Sequence, residues 1–142
     1  MIQESRDFTS DLPQLAELRR FVRECGQKAW PGESSAVFDA IELALQEAGA
    51  NIILHAYERK PGRPIHAEVR ADAERIEVAL THEGCDFEPA AVPAPKFDGS
   101  RYGGFGVHLI RQIMDEVRYL HNEPRCGIVM IKRRSTVSTG GK

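Results

Sequence analysis

Apolar and polar positions follow two rhythms along this chain. From residue 14 to residue 30, Leu15, Leu18, Phe21, Val22 and Cys25 recur at steps of three and four, the spacing of one helical face. Arg19, Arg20, Arg23 and Glu24 fall opposite and read as a solvated face. Ser10 or Asp11 is the expected cap, with Pro13 in the first turn. Pro31 and Gly32 end the pattern, and Ser34 or Ser35 caps a second helix. Its apolar stripe is Ile41, Leu45, Ala48 and Ile52, and it stops before the charged turn ERKPGRP. The period then shortens to two. Residues 64–70 carry Ile65, Ala67 and Val69 on one side, and residues 75–81 set Ile76, Val78 and Leu80 against Glu77, Ala79 and Thr81. The short connection ADAE makes this pair an antiparallel hairpin. A third amphipathic helix, VHLIRQIMDEV, buries Val107, Ile110, Ile113 and Met114. Two strands follow, at 117–121 and 127–132, around the turn NEPRCG. The first eight residues give a weak signal for a short edge strand, and the polar tail 135–142 is expected to fray.

This order predicts an α+β protein: a two-layer sandwich whose mixed, mostly antiparallel sheet is covered on one face by three helices. A length of 142 residues fits a single domain, with its core at about 11–132. The segment THEGCDFEPAAVPAPKFDGSRYGGFG lacks periodicity and holds three prolines, so it reads as a long loop of the kind that carries function.

Charge and composition narrow the partners. The net charge is −2 with no long run of Lys or Arg, which argues against direct nucleic-acid binding. No apolar run reaches the roughly 20 residues that a spanning helix needs, so no membrane segment is expected. MIQESRDF has no signal-peptide core, and a cytoplasmic location is the default. Cys25, Cys85 and Cys126 have no zinc spacing and cannot all pair, so reduced thiols are expected. The five histidines form no metal-binding motif.

The second helix carries the candidate chemistry. Glu47, Asn51 and His55 recur every four residues and form a polar stripe beside the apolar one. Glu47 can accept a proton or orient a water. The Asn51 carboxamide oxygen suits a hard cation such as Mg²⁺, which prefers oxygen ligands and phosphate co-ligands. The same stripe can equally be a polar face that satisfies its own hydrogen bonds. Gly103, Gly104 and Gly106 enter the third helix, where free backbone N–H groups and the helix dipole suit a phosphate. Arg101 can reach a terminal phosphate or remain a solvated loop residue.

Three blocks in this order, E-x-x-x-N-x-x-x-H-A-Y, a strand ending in a Gly-containing turn with F-x-P, and GGFGVHLIRQIMDEV, resemble the ATP-binding domain shared by histidine kinases, gyrase-type ATPases and Hsp90 (the Bergerat fold). Within that group the chain most resembles the small stand-alone anti-sigma-factor serine/threonine kinases of the RsbW/SpoIIAB type, over residues 11–132. The resemblance implies that Glu47 is the general base toward a Ser or Thr hydroxyl and that Asn51 holds Mg²⁺ against ATP. It implies that Gly104 and Gly106 line the phosphate site, that Gly84 lets the backbone pass the adenine, and that His55 buttresses the helix. The implied partners are a sigma factor and a STAS-type antagonist of the anti-sigma factor, with a possible homodimer. Two positions depart from the family pattern. His82 stands where the family has the Asp that accepts from the adenine amino group, and Asp86 stands where it has a glycine. A second reading therefore stays open, a non-catalytic binding module on the same fold with weak or lost ATP binding.

Overall fold

The computed structural model describes residues 1–83, 102–121 and 125–135, with residues 102–107 described by backbone alone. The elements are β1 (Ile2–Thr9), α1 (Gln14–Ala29), α2 (Ser35–Asn51) with a π-helical extension (Ile52–Ala56), β2 (Pro64–Ala71), β3 (Arg75–Glu83), α3 (Tyr102–Ile113), β4 (Glu116–Leu120) and β5 (Arg125–Arg133). The five strands form one sheet in the order β1-β2-β3-β5-β4. All four ladders are antiparallel, so the sheet expected to be mixed is antiparallel throughout its described pairings. The two-layer α+β class is as expected.

The period-two strands place their apolar residues under the helices. Ile65, Ala67 and Val69 of β2 and Ile76, Val78 and Leu80 of β3 are all essentially inaccessible to solvent. The helices meet them with Leu15, Leu18, Phe21 and Val22 of α1 and Ile41, Ala44, Leu45 and Ala48 of α2, so that one core fills the space between layers. α2 lies between α1 and α3 and packs on both. Its approach to α1 needs Gly49, where a Cβ would stand 2.5 Å from Leu15 Cδ2. At the centre of the sheet Gly127 of β5 has the same function more strictly, since a Cβ there would meet the Leu80 carbonyl oxygen at 2.1 Å.

Several local expectations shift. β1 is a full edge strand along β2, although only Phe8 in it is buried, which explains its weak signal. Pro13 occupies the cap position of α1 rather than its first turn. Ser34 caps α2 and accepts from the Ala36 N–H at 3.1 Å. Arg19 and Arg23 are not simply solvated: Arg23 contacts Asp39 at 2.8 Å and Glu42 at 2.6 Å, and Arg19 reaches Glu42, tying the outer faces of α1 and α2. α3 begins at Tyr102, so Gly103, Gly104 and Gly106 lie within its first turns rather than before it. Glycine's poor helix propensity hides this start, yet the first-turn N–H groups of a helix stay free of intrahelical bonds. Cys25 is a free, buried thiol, whereas Cys126 is disulfide-bonded, which overturns the expectation of three reduced thiols. Spacing along the chain carries no information about which sulfurs the fold brings together.

Candidate functional site

α2 supplies two of the expected groups. Glu47 is half-buried and Asn51, one turn later, is buried at the helix end. The helix then widens: the Tyr57 N–H bonds to the Ile52 carbonyl at 2.9 Å, five residues back, which defines the π-helical turn. This change of period breaks the expected three-residue stripe. His55 is exposed and borders a separate polar hollow with Tyr57, Glu58, Lys60, Arg63 and Glu83. The chain leaves the π-turn through Glu58 and Arg59, both in the left-handed region at φ 51° and 67°.

Tyr57, at the end of the same turn, acts as a clamp that the sequence did not single out. Its hydroxyl donates to the Pro64 carbonyl at 2.6 Å, where β2 starts, and accepts from the Glu83 N–H at 2.8 Å, where β3 ends. Burial pushes its phenol pKa up, so the hydroxyl keeps the proton that it donates.

The clamped peptide in turn sets the chemistry of His82. This side chain is 5% exposed and faces the helices. The Tyr57 and His82 rings meet edge to face with centroids 5.8 Å apart. Nδ1 of His82 lies 2.8 Å from the Glu83 carbonyl oxygen. A carbonyl oxygen only accepts, so Nδ1 carries the hydrogen. Burial holds the imidazole pKa below its usual value, with the hydrogen bond to Glu83 acting in the opposite sense. The ring is therefore neutral near pH 7, and Nε2 presents a lone pair. A histidine fixed in this tautomer offers the acceptor that a carboxylate would offer, without the charge.

His82 and Asn51 come together around one small, partly open cavity, which Ala48, Ile52, Ile110 and Tyr119 also line. Its free space is about 20 Å³, room for about one water. Gly127 and Ile128 of β5, the strand between β3 and β4, complete the lining. Tyr119 of β4 is a second residue missed at first. Its alternation with Val117 points it toward the helices, but a five-residue strand gave too short a pattern to show this. Arg111 of α3 lies over its ring at 5.6 Å.

The two remaining glycines of the expected site, Gly104 and Gly106, have their backbone in the first turns of α3. Gly84, Asp86 and Arg101 lie outside the described residues. Among the described residues no group of three or more His, Cys, Asp or Glu side chains is placed to hold a metal ion, and no helix is long and apolar enough to cross a membrane.

The model of the histidine kinase-like ATPase domain matches residues 8–133. The chain is similar to the serine-protein kinase RsbW of Bacillus subtilis, with 28% identity over 106 residues, 67% of this chain and 66% of that protein. It is 30% identical over 111 residues to the serine-protein kinase RsbW of Staphylococcus aureus, covering 70% of this chain and 69% of the relative. It is 28% identical over 85 residues to the serine/threonine-protein kinase BtrW of Bordetella bronchiseptica, covering 56% and 58%. The matches thus span about two thirds of the length of the two RsbW proteins.

Proposed function

The chain belongs to the histidine kinase-like ATPase domain family, and on that premise we propose that it is an ATP-dependent serine/threonine protein kinase. Its substrate is the antagonist of an anti-sigma factor, and the same chain sequesters a sigma factor. The observation that carries this reading is the pairing of Glu47 and Asn51, one turn apart on α2, beside a cavity that also holds a neutral acceptor histidine. The names of the similar proteins supply the reaction class.

The residues present fit both groups the reaction needs. Asn51 offers one hard oxygen, which suits Mg²⁺, an ion that takes one or two protein ligands and completes its shell with phosphate oxygens and water. The lack of a metal-binding cluster among the described residues is compatible with that sparse ligation. Bound Mg²⁺ neutralises charge on the phosphate oxygens. His82 Nε2 can accept from the amino group of adenine, in place of the family's Asp. Glu47 takes the proton of the Ser or Thr hydroxyl as that oxygen bonds to the γ-phosphorus. The bond from the γ-phosphorus to the β–γ bridging oxygen breaks, and ADP leaves. The first turns of α3, with Gly104 and Gly106, present N–H groups to the phosphates. Phosphate added to the antagonist introduces charge at its interface with the kinase and weakens that contact, which frees the kinase to hold the sigma factor.

A second reading has one specific observation behind it. His82 is a weaker acceptor than a carboxylate, and the free space of about 20 Å³ is far less than a purine occupies. A protein that sequesters its partner without nucleotide would tolerate both features. Titration calorimetry with ATP and Mg²⁺, on the unsubstituted protein and on His82→Asp, separates the readings. Micromolar binding by the unsubstituted protein supports the kinase. Binding by His82→Asp alone gives the lead to the binding module.

A further inference from the structure

The same cavity holds a polar group that neither the family pattern nor the proposed reaction uses. The Tyr119 hydroxyl is buried and has no hydrogen-bond partner among the described residues. Burial pushes its phenol pKa up, while the Arg111 guanidinium acts in the opposite sense, so the group stays a protonated donor. An unpaired buried hydroxyl is a net cost to the folded protein, and a phenylalanine would fill the same space without it. Arg111 lies over the ring at 5.6 Å and its guanidinium also acts on the phenol oxygen, but no contact there has the geometry of a hydrogen bond. The hydroxyl therefore has no structural task in the ligand-free protein that its ring does not already perform.

Its position suggests the task. Val117 and Tyr119 are on the helix-facing side of β4, and Tyr119 is paired in register with Ile128, which lines the cavity. His82 faces the same cavity from β3. The sheet side of the cavity thus offers both an acceptor, Nε2 of His82 on β3, and a donor, the Tyr119 O–H on β4, with β5 between them. The Watson–Crick edge of adenine presents the complement, an amino donor beside a ring-nitrogen acceptor.

We propose that Tyr119 is a second base-reading residue, whose hydroxyl donates to a ring nitrogen of adenine while His82 Nε2 accepts from the exocyclic amino group. The inference rests on the ATP-dependent reading above. The pair divides between two side chains a recognition that the family concentrates on one carboxylate. The cavity walls must part to admit the base, and the purine takes the place of the water for which the cavity has room. The buried hydroxyl then gains the partner it lacks.

The test is Tyr119→Phe, which keeps the ring and removes only the oxygen. Nucleotide affinity is measured by calorimetry with Mg²⁺ and ATP, and with the 1-deaza, 3-deaza and 7-deaza analogues of ATP. Thermal melting is followed without nucleotide. Tyr119→Phe is expected to weaken ATP binding roughly tenfold while the melting temperature holds or rises. The penalty is expected to vanish for the one analogue that lacks the nitrogen Tyr119 contacts. Loss of affinity together with loss of thermal stability makes the hydroxyl structural and overturns the inference. So does a penalty that persists with all three analogues. ATP binding that the substitution leaves unchanged overturns the inference alone, whereas no ATP binding by the unsubstituted protein overturns it together with the kinase reading.

Discussion

Removing one oxygen from Tyr57 tests whether the end of the π-turn holds the site together. Tyr57→Phe deletes the bond to the Pro64 carbonyl and the bond from the Glu83 N–H. Pro64 and Glu83 are exposed and Glu83 borders the polar hollow, so water can reach the two backbone groups that lose their partner. A hydrogen bond contributes about 1 kcal/mol net, so the pair together is worth about 2 kcal/mol. Unfolding entropy of about 2 cal/mol/K per residue gives about 0.3 kcal/mol/K for a chain of 142 residues. The expected fall in melting temperature is therefore about 7 °C. Urea denaturation should show a lower midpoint with an unchanged slope, because the exposed surface does not change. Glu83 also carries, in its next peptide, the carbonyl that fixes His82, so ATP affinity is expected to fall in the same variant. A change below about 0.5 kcal/mol would refute the clamp, since both bonds would then be replaceable by water.

Other substitutions examine separate links. Gly127→Ala drives a Cβ against a carbonyl of the central ladder, which cannot move, and is expected to cost about 3 kcal/mol or more in denaturant melts. Gly49→Ala meets only the end of Leu15, and its gain in helix propensity of about 1 kcal/mol offsets part of the overpacking; the same change in a Leu15→Ala background should be stabilising. Glu47→Ala is expected to abolish phosphate transfer from labelled ATP while partner binding stays nearly intact, and equal loss of both would remove Glu47 from the role of base. Asn51→Ala is expected to weaken Mg²⁺-dependent ATP binding, and an unchanged affinity would exclude it from the site. His82 makes stability depend on pH with a definite sign. Its folded pKa lies below the ordinary value of 6.5, so the unfolded chain takes up the proton first; the group's contribution is intact above about pH 6.5 and is lost as pH falls toward the folded pKa. Melting curves between pH 5 and 7.5 should therefore flatten in His82→Gln relative to the parent, and parallel curves would refute the burial argument.

Periodicity made most of the fold legible. The stripes of α1 and α2 and the alternation of β2 and β3 place their residues inside or outside much as the hydrophobic pattern does, because burial on one face is what the pattern records. The readings that failed concern pairs of residues distant in sequence or changes of helical period. β5 inserts between β3 and β4, an order that no local pattern encodes. The stripe of Glu47, Asn51 and His55 assumed an α-helix to its end, and the π-turn after Asn51 turns His55 away. The state of His82 depends on the carbonyl of Glu83, a residue whose N–H is held by the hydroxyl of Tyr57, 26 residues earlier. The family resemblance implied that His82 stands where an acid is usual, and only the folded arrangement fixes which of its nitrogens can accept.

That replacement sets two properties of the site against each other, and His82→Asp measures the exchange. A carboxylate in a position 5% exposed, facing a small cavity, either remains charged with little solvent or takes up a proton, and both are unfavourable in the absence of nucleotide. Neutral imidazole avoids that cost, and its one available lone pair makes a weaker bond to an amino group than an anion does. His82→Asp is accordingly expected to lose roughly 1–3 kcal/mol of stability without nucleotide and to bind ATP more tightly, with the two changes seen in the same preparation by thermal melting and calorimetry. The Glu83 carbonyl adds to the loss, because an aspartate leaves it without the Nδ1–H donor it has now. Raising the pH should strengthen ATP binding by the variant, as the raised carboxyl pKa is passed and the acceptor becomes charged. A variant that is as stable as the parent without nucleotide would show that position 82 is better solvated than its burial implies, and the neutral-acceptor account of the histidine would fall with it.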